Sequence, residues 1–423
     1  MTYWSRFQTF EPTIISPVNS DVKMIVVIPC YNEEEPEKSV MSIIDNIPTL
    51  SKIEIIVVIN APENSQEDII LKNKNAEIKI SNLEYKQNPS INGVFIINKI
   101  LPVKDSGVGL ARKIGMDEAL FRFEQAGNIN SGVIVCFDAD SECDSNYLME
   151  IEKNLYCTNN IAASIYFEHP LSGPFDKNIY EGIKIYELFL RYYINGLRYA
   201  GYPFAFHTIG SSMAVKAETY MKQGGMNKRK AGEDFYFLHK IIPLGNFTEI
   251  NTTRVIPSPR PSDRVPFGTG RAINSWLINN EILFYNFNTF RLIKILIRSL
   301  PLIKSEESSL SEFYQSIDLP VKNFLDIHHF DAVVSEIRKN CSDDRNFKNR
   351  IIKWFDGFRM LKLTHFLTEK YFPKVEYKIA LKELISEISS NETEDIPEAY
   401  LNILRSADRN FILKINLHPE TNL

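Results

Sequence analysis

Ile25-Val26-Val27-Ile28-Pro29-Cys30-Tyr31-Asn32-Glu33-Glu34 opens the folded part of the chain. An apolar run ends abruptly at a proline and a polar loop. Met24–Pro29 reads as a strand that is apolar on both faces, and Glu37–Asn46 reads as the helix after it. The same alternation continues: Ile53–Ile59 is a second apolar strand, and Val133–Phe137 is another. Between them, Val108–Glu124 has helical spacing, with Leu110, Ile114, Ala119, Leu120 and Phe123 on one broad face. Strands without a polar face, alternating with helices, indicate a mostly parallel sheet covered on both sides. The α/β class is therefore expected for roughly the first 260 residues.

From about Trp276 onward, strand-like runs fade and helical spacing dominates through Leu404. Ser305–Ser311 and Ser389–Asp395 read as polar breaks. The expected division is an α/β domain over residues 1–274 and a mainly helical C-terminal region over 275–423. No internal repeat and no low-complexity tract occurs.

The chain has 423 residues, 44% hydrophobic and 24% charged, with a net charge of -5. That balance suits a soluble globular protein of two or three domains. It argues against nucleic acid as a partner, because phosphate neutralisation wants a basic surface. The five cysteines, with no CxxC pair, read as reduced core thiols in a cytoplasmic protein. Neither a signal peptide nor a spanning helix is legible. Ile183–Phe206 and Trp276–Lys304 are the apolar, partly basic segments that suit peripheral contact with the cytoplasmic face of a membrane. Packed helices are the plainer reading of both.

Four constellations carry chemistry. Ligands in open α/β sheets bind at the carboxyl ends of strands. The loop after the first strand, with Asn32 and Glu33, stands at such an end. Phe137-Asp138-Ala139-Asp140-Ser141 places two carboxylates one residue apart at the end of a buried strand. Extended backbone sends both the same way. Like charges there are costly unless a cation neutralises them. Magnesium or manganese, held by oxygen ligands and substrate phosphates, fits. An N-cap role for Asp140 or Ser141 is the competing reading. In Gly232-Glu233-Asp234-Phe235, adjacent acids open an apolar helix. They suit either a carboxylate base or simple dipole compensation. Arg260-Pro261-Ser262-Asp263-Arg264, followed by Gly268 and Gly270, reads as a flexible loop whose arginine forks suit diphosphate oxygens, or as a plain linker. His207 is a candidate third metal ligand or phosphate contact. Gly107-Val108-Gly109 with Gly115 lacks G-x-G-x-x-G spacing and is no dinucleotide fingerprint. His328-His329 has no matching ligand set.

Taken in order, these segments resemble the inverting family 2 of glycosyltransferases, with the GT-A fold. The matching stretches are VVIPCYNEEE (26–35), GVGLARKIGMDEAL (107–120), FDADS (137–141), HTIGSSMAVKAETYMKQGGMN (207–227) and GEDFYF (232–237). The resemblance spans roughly residues 22–270. It implies transfer of a sugar from a nucleotide-diphosphate donor to a hydroxyl of a glycan, a lipid-linked or a small-molecule acceptor. Asp138 and Asp140 would hold Mn2+ or Mg2+ against the donor diphosphate. Asp234, beside Glu233, would be the base. Pro29, Tyr31, Asn32 and Glu33 would line the nucleotide pocket, and Arg112 would approach the donor. Asn60, with Ala61–Ser65, stands where the family often has an acidic, glycine-containing turn. No Q-x-x-R-W signature follows the base, which speaks against polymer synthesis. A nucleotidyltransferase would want a Gly-rich basic loop after the first strand, where Glu33–Glu35 stand instead. A nucleotide-binding scaffold of the same fold is the non-enzymatic alternative.

Overall fold

The computed structural model describes residues 3–304, 309–388 and 394–410. Parts of both polar breaks, 305–308 and 389–393, lie outside the described residues. The chain divides into two compact units, Met1–Tyr180 with His207–Asn274, and Glu181–Phe206 with Ser275–Leu423. Residues 181–206, assigned to the first region on sequence, thus group with the second unit.

In chain order the first unit contains α1 (Tyr3–Phe7), β1 (Val22–Cys30), α2 (Pro36–Ile44), β2 (Lys52–Pro62), α3 (Glu67–Ser81), β3 (Ile91–Leu101), α4 (Val108–Gln125), β4 (Val133–Cys136), β5 (Glu142–Cys143), α5 (Tyr147–Ile151) and β6 (Ala162–Phe167). Helix α6 (Lys177–Tyr199) carries the chain into the second unit. The first unit resumes with β7 (Met213–Lys216), α7 (Ala217–Lys222), α8 (Glu233–Ile241) and β8 (Phe247–Ile256).

The eight strands form one sheet in the order β3-β2-β1-β4-β7-β6-β8-β5. Strands β1 to β4 pair in parallel, as do β6 and β8. Strand β7 runs antiparallel to both its neighbours, and β5 antiparallel to β8. The α/β class and the mostly parallel, helix-flanked sheet agree with the sequence reading. The centre is buried on both faces, as uninterrupted Val and Ile runs in β1, β2 and β4 require. Val27 lies opposite Cys136 in the β1–β4 register, and Phe137 N donates to Val27 O at 3.0 Å. Continuing that register brings the loop Tyr31–Glu33 and the aspartates after β4 to the same edge. Cys136 also faces Met213 of β7, so the Gly210–Ser212 turn arrives there too.

Helix α4 is buried nearly all round, which its spacing alone does not announce. Charged residues inside it are each answered. Arg122 forks onto Glu54 of β2 (Nη2–Oε1 2.6 Å), both fully buried. Asp117 accepts from Tyr3 and Tyr220 hydroxyls, each at 2.6 Å, and pairs with Lys113 at 2.9 Å. Glu118 accepts from the backbone N–H of Thr13 and Ile14 in the N-terminal arm. Satisfied in this way, the buried charges fix one seating of the helix. Gly115 sets its depth. A Cβ there would lie 2.4 Å from Val27 Cγ1 and 2.9 Å from Val58 Cγ2. Both obstacles are stiff β-branched side chains. Gly115→Ala is therefore expected to destabilise by about 1–2 kcal/mol, because overpacking outweighs the gain in helix propensity. A lower urea midpoint at unchanged m-value checks this.

The second unit is helical, with Phe287–Ser299 and Pro397–Arg409 among its helices. Its segment 181–199 is a packed helix with Ile183, Leu188 and Tyr192 buried. Asp408, in the helix Pro397–Arg409, accepts from Arg198 Nη1 (2.6 Å) and Asn195 Nδ2 (2.9 Å), and Arg405 forks onto Glu187 (2.8 and 2.9 Å). Phe284 and Phe290 stack around Tyr192. Among the described residues no helix is long and apolar enough to cross a membrane. The five cysteines are free, with Cys30 and Cys136 buried in β1 and β4.

Candidate active site

Four separated segments meet at the carboxyl ends of β1 and β4. The first is the exit of β1. Pro29 still pairs within the sheet, opposite Val58. Asn32 takes a left-handed backbone (φ 55°), which turns the chain out of the strand. Its N–H donates to Asn73 Oδ1 at 2.9 Å, while Asn73 Nδ2 donates to the carbonyl of Asn60 at 2.9 Å. Asn73 thus ties the exits of β1 and β2 together. The Asn32 side-chain oxygen is buried without a hydrogen-bond partner among the described residues. Such an orphaned acceptor in a cleft suits a donor group on a ligand.

The second segment is Asp138–Asp140, leaving β4. Their side chains are 35% and 34% exposed. One oxygen of each meets an arginine: Asp138 Oδ1 accepts from Arg112 Nη2 at 2.6 Å, and Asp140 Oδ2 from Arg260 Nη2 at 2.8 Å. The third segment is the start of α8. Gly232 is the N-cap in left-handed conformation (φ 68°), and Glu233 and Asp234 form the first turn. Glu233 is buried and pairs with Arg112 Nη1. Asp234 is half-buried, its Oδ1 accepting from Phe235 N at 2.7 Å, and Gly210 N–H donates to the same carboxylate. The fourth is the loop after β8. Arg260 Nη1 lies 2.9 Å from Glu33 Oε2. Arg264 pairs with Glu33, donates to the Asn32 carbonyl at 3.0 Å and stands 6.0 Å over the Tyr31 ring.

Arg112 joins the second and third segments. Its side chain is 2% exposed, with one fork arm on Asp138 and the other on Glu233. Gly210 comes so near that an added Cβ would lie 2.9 Å from both terminal nitrogens. Arg112, expected to approach the donor, is buried, with both fork arms on acids.

Five carboxylates (Glu33, Asp138, Asp140, Glu233, Asp234) face three guanidinium groups (Arg112, Arg260, Arg264) in this cluster. The excess negative charge shows in the acids themselves. Partial burial, then the charge of Glu33, raises Asp140 against the pull of Arg260, with a third of its side chain still in water. Burial lifts Glu233 to about 7 although Arg112 opposes it. Asp234 is also raised by burial, with Arg112 and two backbone N–H groups pulling the other way. Cys136 beneath is pushed up to about 12, so its thiol stays protonated and is no nucleophile.

A divalent cation fits this donor set. The second oxygen of Asp138 and of Asp140 carries no hydrogen bond among the described residues, and the cluster lacks two positive charges. Hard oxygen ligands of this kind suit Mg2+ or Mn2+. The three-ligand set with His207 is not formed. Among the described residues no three His, Cys, Asp or Glu gather to hold a metal. His207 is buried and edge-on to Phe167, ring centroids 5.2 Å apart. Asn60 is buried, its carbonyl occupied by Asn73. Sequence reasoning missed Asn73 and Gly210. Asn73 had a signal, a polar residue on the same buried stripe as Ala76 and Ile80. Gly210 had none.

No model of a known protein family matches the chain, and no curated protein matches it in sequence. Solved structures are similar to it in part. S. aureus TarS 1–349 in complex with UDP-GlcNAc shares 11% identity over 93% of this chain and 90% of that one, with a TM-score of 0.40. The UDP complex of the same protein shares 12% identity over 78% and 89%, at 0.37. Glucosyl-3-phosphoglycerate synthase from Mycobacterium tuberculosis, in complex with Mn2+, UDP and phosphoglyceric acid, shares 15% identity over 61% and 78%, at 0.37.

Proposed function

We propose that the chain transfers a sugar, with inversion, from a nucleotide-diphosphate donor to a hydroxyl acceptor, and that it needs Mn2+ or Mg2+. The supporting observation is the double fork of Arg112, which ties Asp138 after β4 to Glu233 in the first turn of α8, next to Asp234. Asp234 takes the proton of the acceptor hydroxyl as its oxygen attacks the anomeric carbon. The bond from that carbon to the diphosphate oxygen breaks on the opposite face, and the electron pair leaves with the nucleoside diphosphate. Its raised proton affinity suits Asp234 to this task. Arg260 and Arg264, both tethered at Glu33, offer guanidinium forks to the charge that develops on the leaving group. Asp138 and Asp140 would hold a divalent cation, which would supply further neutralising charge there. Glu233 holds Arg112 in place and does not itself reach the substrate. The unpaired oxygen of Asn32, with Tyr31 beside it, suits recognition of the nucleoside.

Release of nucleoside diphosphate from UDP- and GDP-sugars tests this. Turnover is expected with Mn2+ and is expected to fall by roughly two orders of magnitude in EDTA. If no nucleotide sugar turns over with metal present, a nucleotide-binding scaffold becomes the better reading.

A further inference from the structure

Directly before the first turn of α8 lies a short basic arch, Lys228-Arg229-Lys230, in a chain of net charge -5. All three side chains are exposed, and none pairs with a carboxylate among the described residues. The guanidinium groups of the active site, by contrast, are all matched to acids. The arch is also held in a fixed shape. Asn227 Nδ2 donates across it to the Glu233 carbonyl at 2.8 Å, and Asn227 Oδ1 accepts from Arg229 N at 3.2 Å. Gly225 and Gly232, both at positive φ, turn the chain at its two ends. Its inner side lies against the start of α4. A Cβ on Gly107 would lie 2.9 Å from Lys230 Cα, and one on Gly109 only 2.2 Å from the Arg229 carbonyl oxygen. The glycine pair that is no dinucleotide fingerprint therefore makes room for this arch.

The cations are pre-placed as well. The Arg229 guanidinium sits 3.7 Å from the centroid of the Tyr236 ring, which leaves its N–H edges free of any ion pair. Lys230 Nζ donates to the Val103 carbonyl at 3.0 Å. Burial lowers the Lys113 ammonium against the pull of Asp117, and the charges of Lys228 and Lys240 add a smaller lowering. An arch fixed in this way loses little freedom when an anion docks.

We propose that Lys228, Arg229 and Lys230 bind a phosphate group carried by the hydroxyl acceptor, so that the enzyme selects phosphate-bearing acceptors over neutral ones. The inference rests on the transferase reading, since it assigns the acceptor side of the same site. Arg229 is the anchoring contact, because a ring already orients it. The two lysines, on flexible stems, close on the remaining phosphate oxygens.

Titration of the full chain with glycerol 3-phosphate and with glycerol tests the proposal, in Mn2+ and saturating UDP or GDP. The phosphate ester is expected to bind roughly tenfold or more tightly than glycerol, with affinity falling as salt rises. The triple variant K228Q/R229Q/K230Q is expected to lose that preference, and K228R/K230R to keep it. Melting temperature and nucleoside-diphosphate affinity control for folding and for the donor site. A chain that binds no nucleoside diphosphate refutes the transferase reading instead. Equal binding of the two polyols, binding of neither, or a preference that survives in the triple variant overturns the proposal.

Discussion

Replacement of Asp234 by Asn is expected to lower kcat by roughly 10²- to 10⁴-fold while the Kd for the nucleoside diphosphate stays within about twofold. The substitution keeps size and shape. An Asn oxygen still accepts from Phe235 N and Gly210 N, the contacts that orient the carboxylate, so the first turn of α8 has no cause to move. What disappears is the ability to take a proton. Asp234 is suited to that because burial raises its proton affinity, while Arg112 and the two backbone donors pull the other way. Its neighbour Glu233 cannot substitute, being buried and held by Arg112. Initial rates with calorimetric binding of UDP and GDP separate the two effects. Donor binding lost with turnover preserved would move Asp234 from the base to the nucleotide pocket.

Arg112→Leu carries the largest expected cost to the fold. Removing this guanidinium leaves Glu233 buried and unpaired, with Asp138 and Asp234 repelling it. Breaking a buried pair from one side typically costs about 3–5 kcal/mol. Most of that is expected from Glu233. Asp138, with a third of its side chain in water, contributes less because solvent screens it. Arg112→Lys is expected to fall between, since an ammonium keeps the charge but cannot fork onto two acids at once. Urea denaturation midpoints of the three proteins check the order. A midpoint for Arg112→Leu equal to the parent would show that Glu233 finds another partner or sits protonated.

Particular residues show what was legible and what was not. Strands β1, β2 and β4 declare themselves because each is dominated by a Val and Ile run, the composition a strand buried on both faces favours. Polar residues placed directly after such runs, Glu33 after β1 and Asp138 after β4, are legible for the same reason. A buried strand has to end before they can appear. Strand β8 hides because Thr248, Asn251, Thr252 and Arg254 interrupt its pattern, and β7 because four residues carry too little periodicity. Arg112 enters the sequence reading only through the resemblance, as a residue near the donor, and nothing local announces its burial. Only the arrival of Asp138, 26 positions on, and Glu233, 121 positions on, makes its burial affordable. The glycines at 107 and 109 answer to a segment about 120 residues away, and no local pattern reports such a contact. Chain order alone puts residues 181–206 with the α/β region. Their partners, including Asp408 and Arg405, lie at the far end of the sequence.

The most direct measurement is the anomalous signal of manganese in crystals grown with Mn2+ and UDP or GDP. The proposed chemistry requires a peak in contact with the carboxylates of Asp138 and Asp140, with diphosphate oxygens on the same ion and Arg260 beside them. A manganese peak elsewhere, or a bound diphosphate that touches neither aspartate, would contradict it.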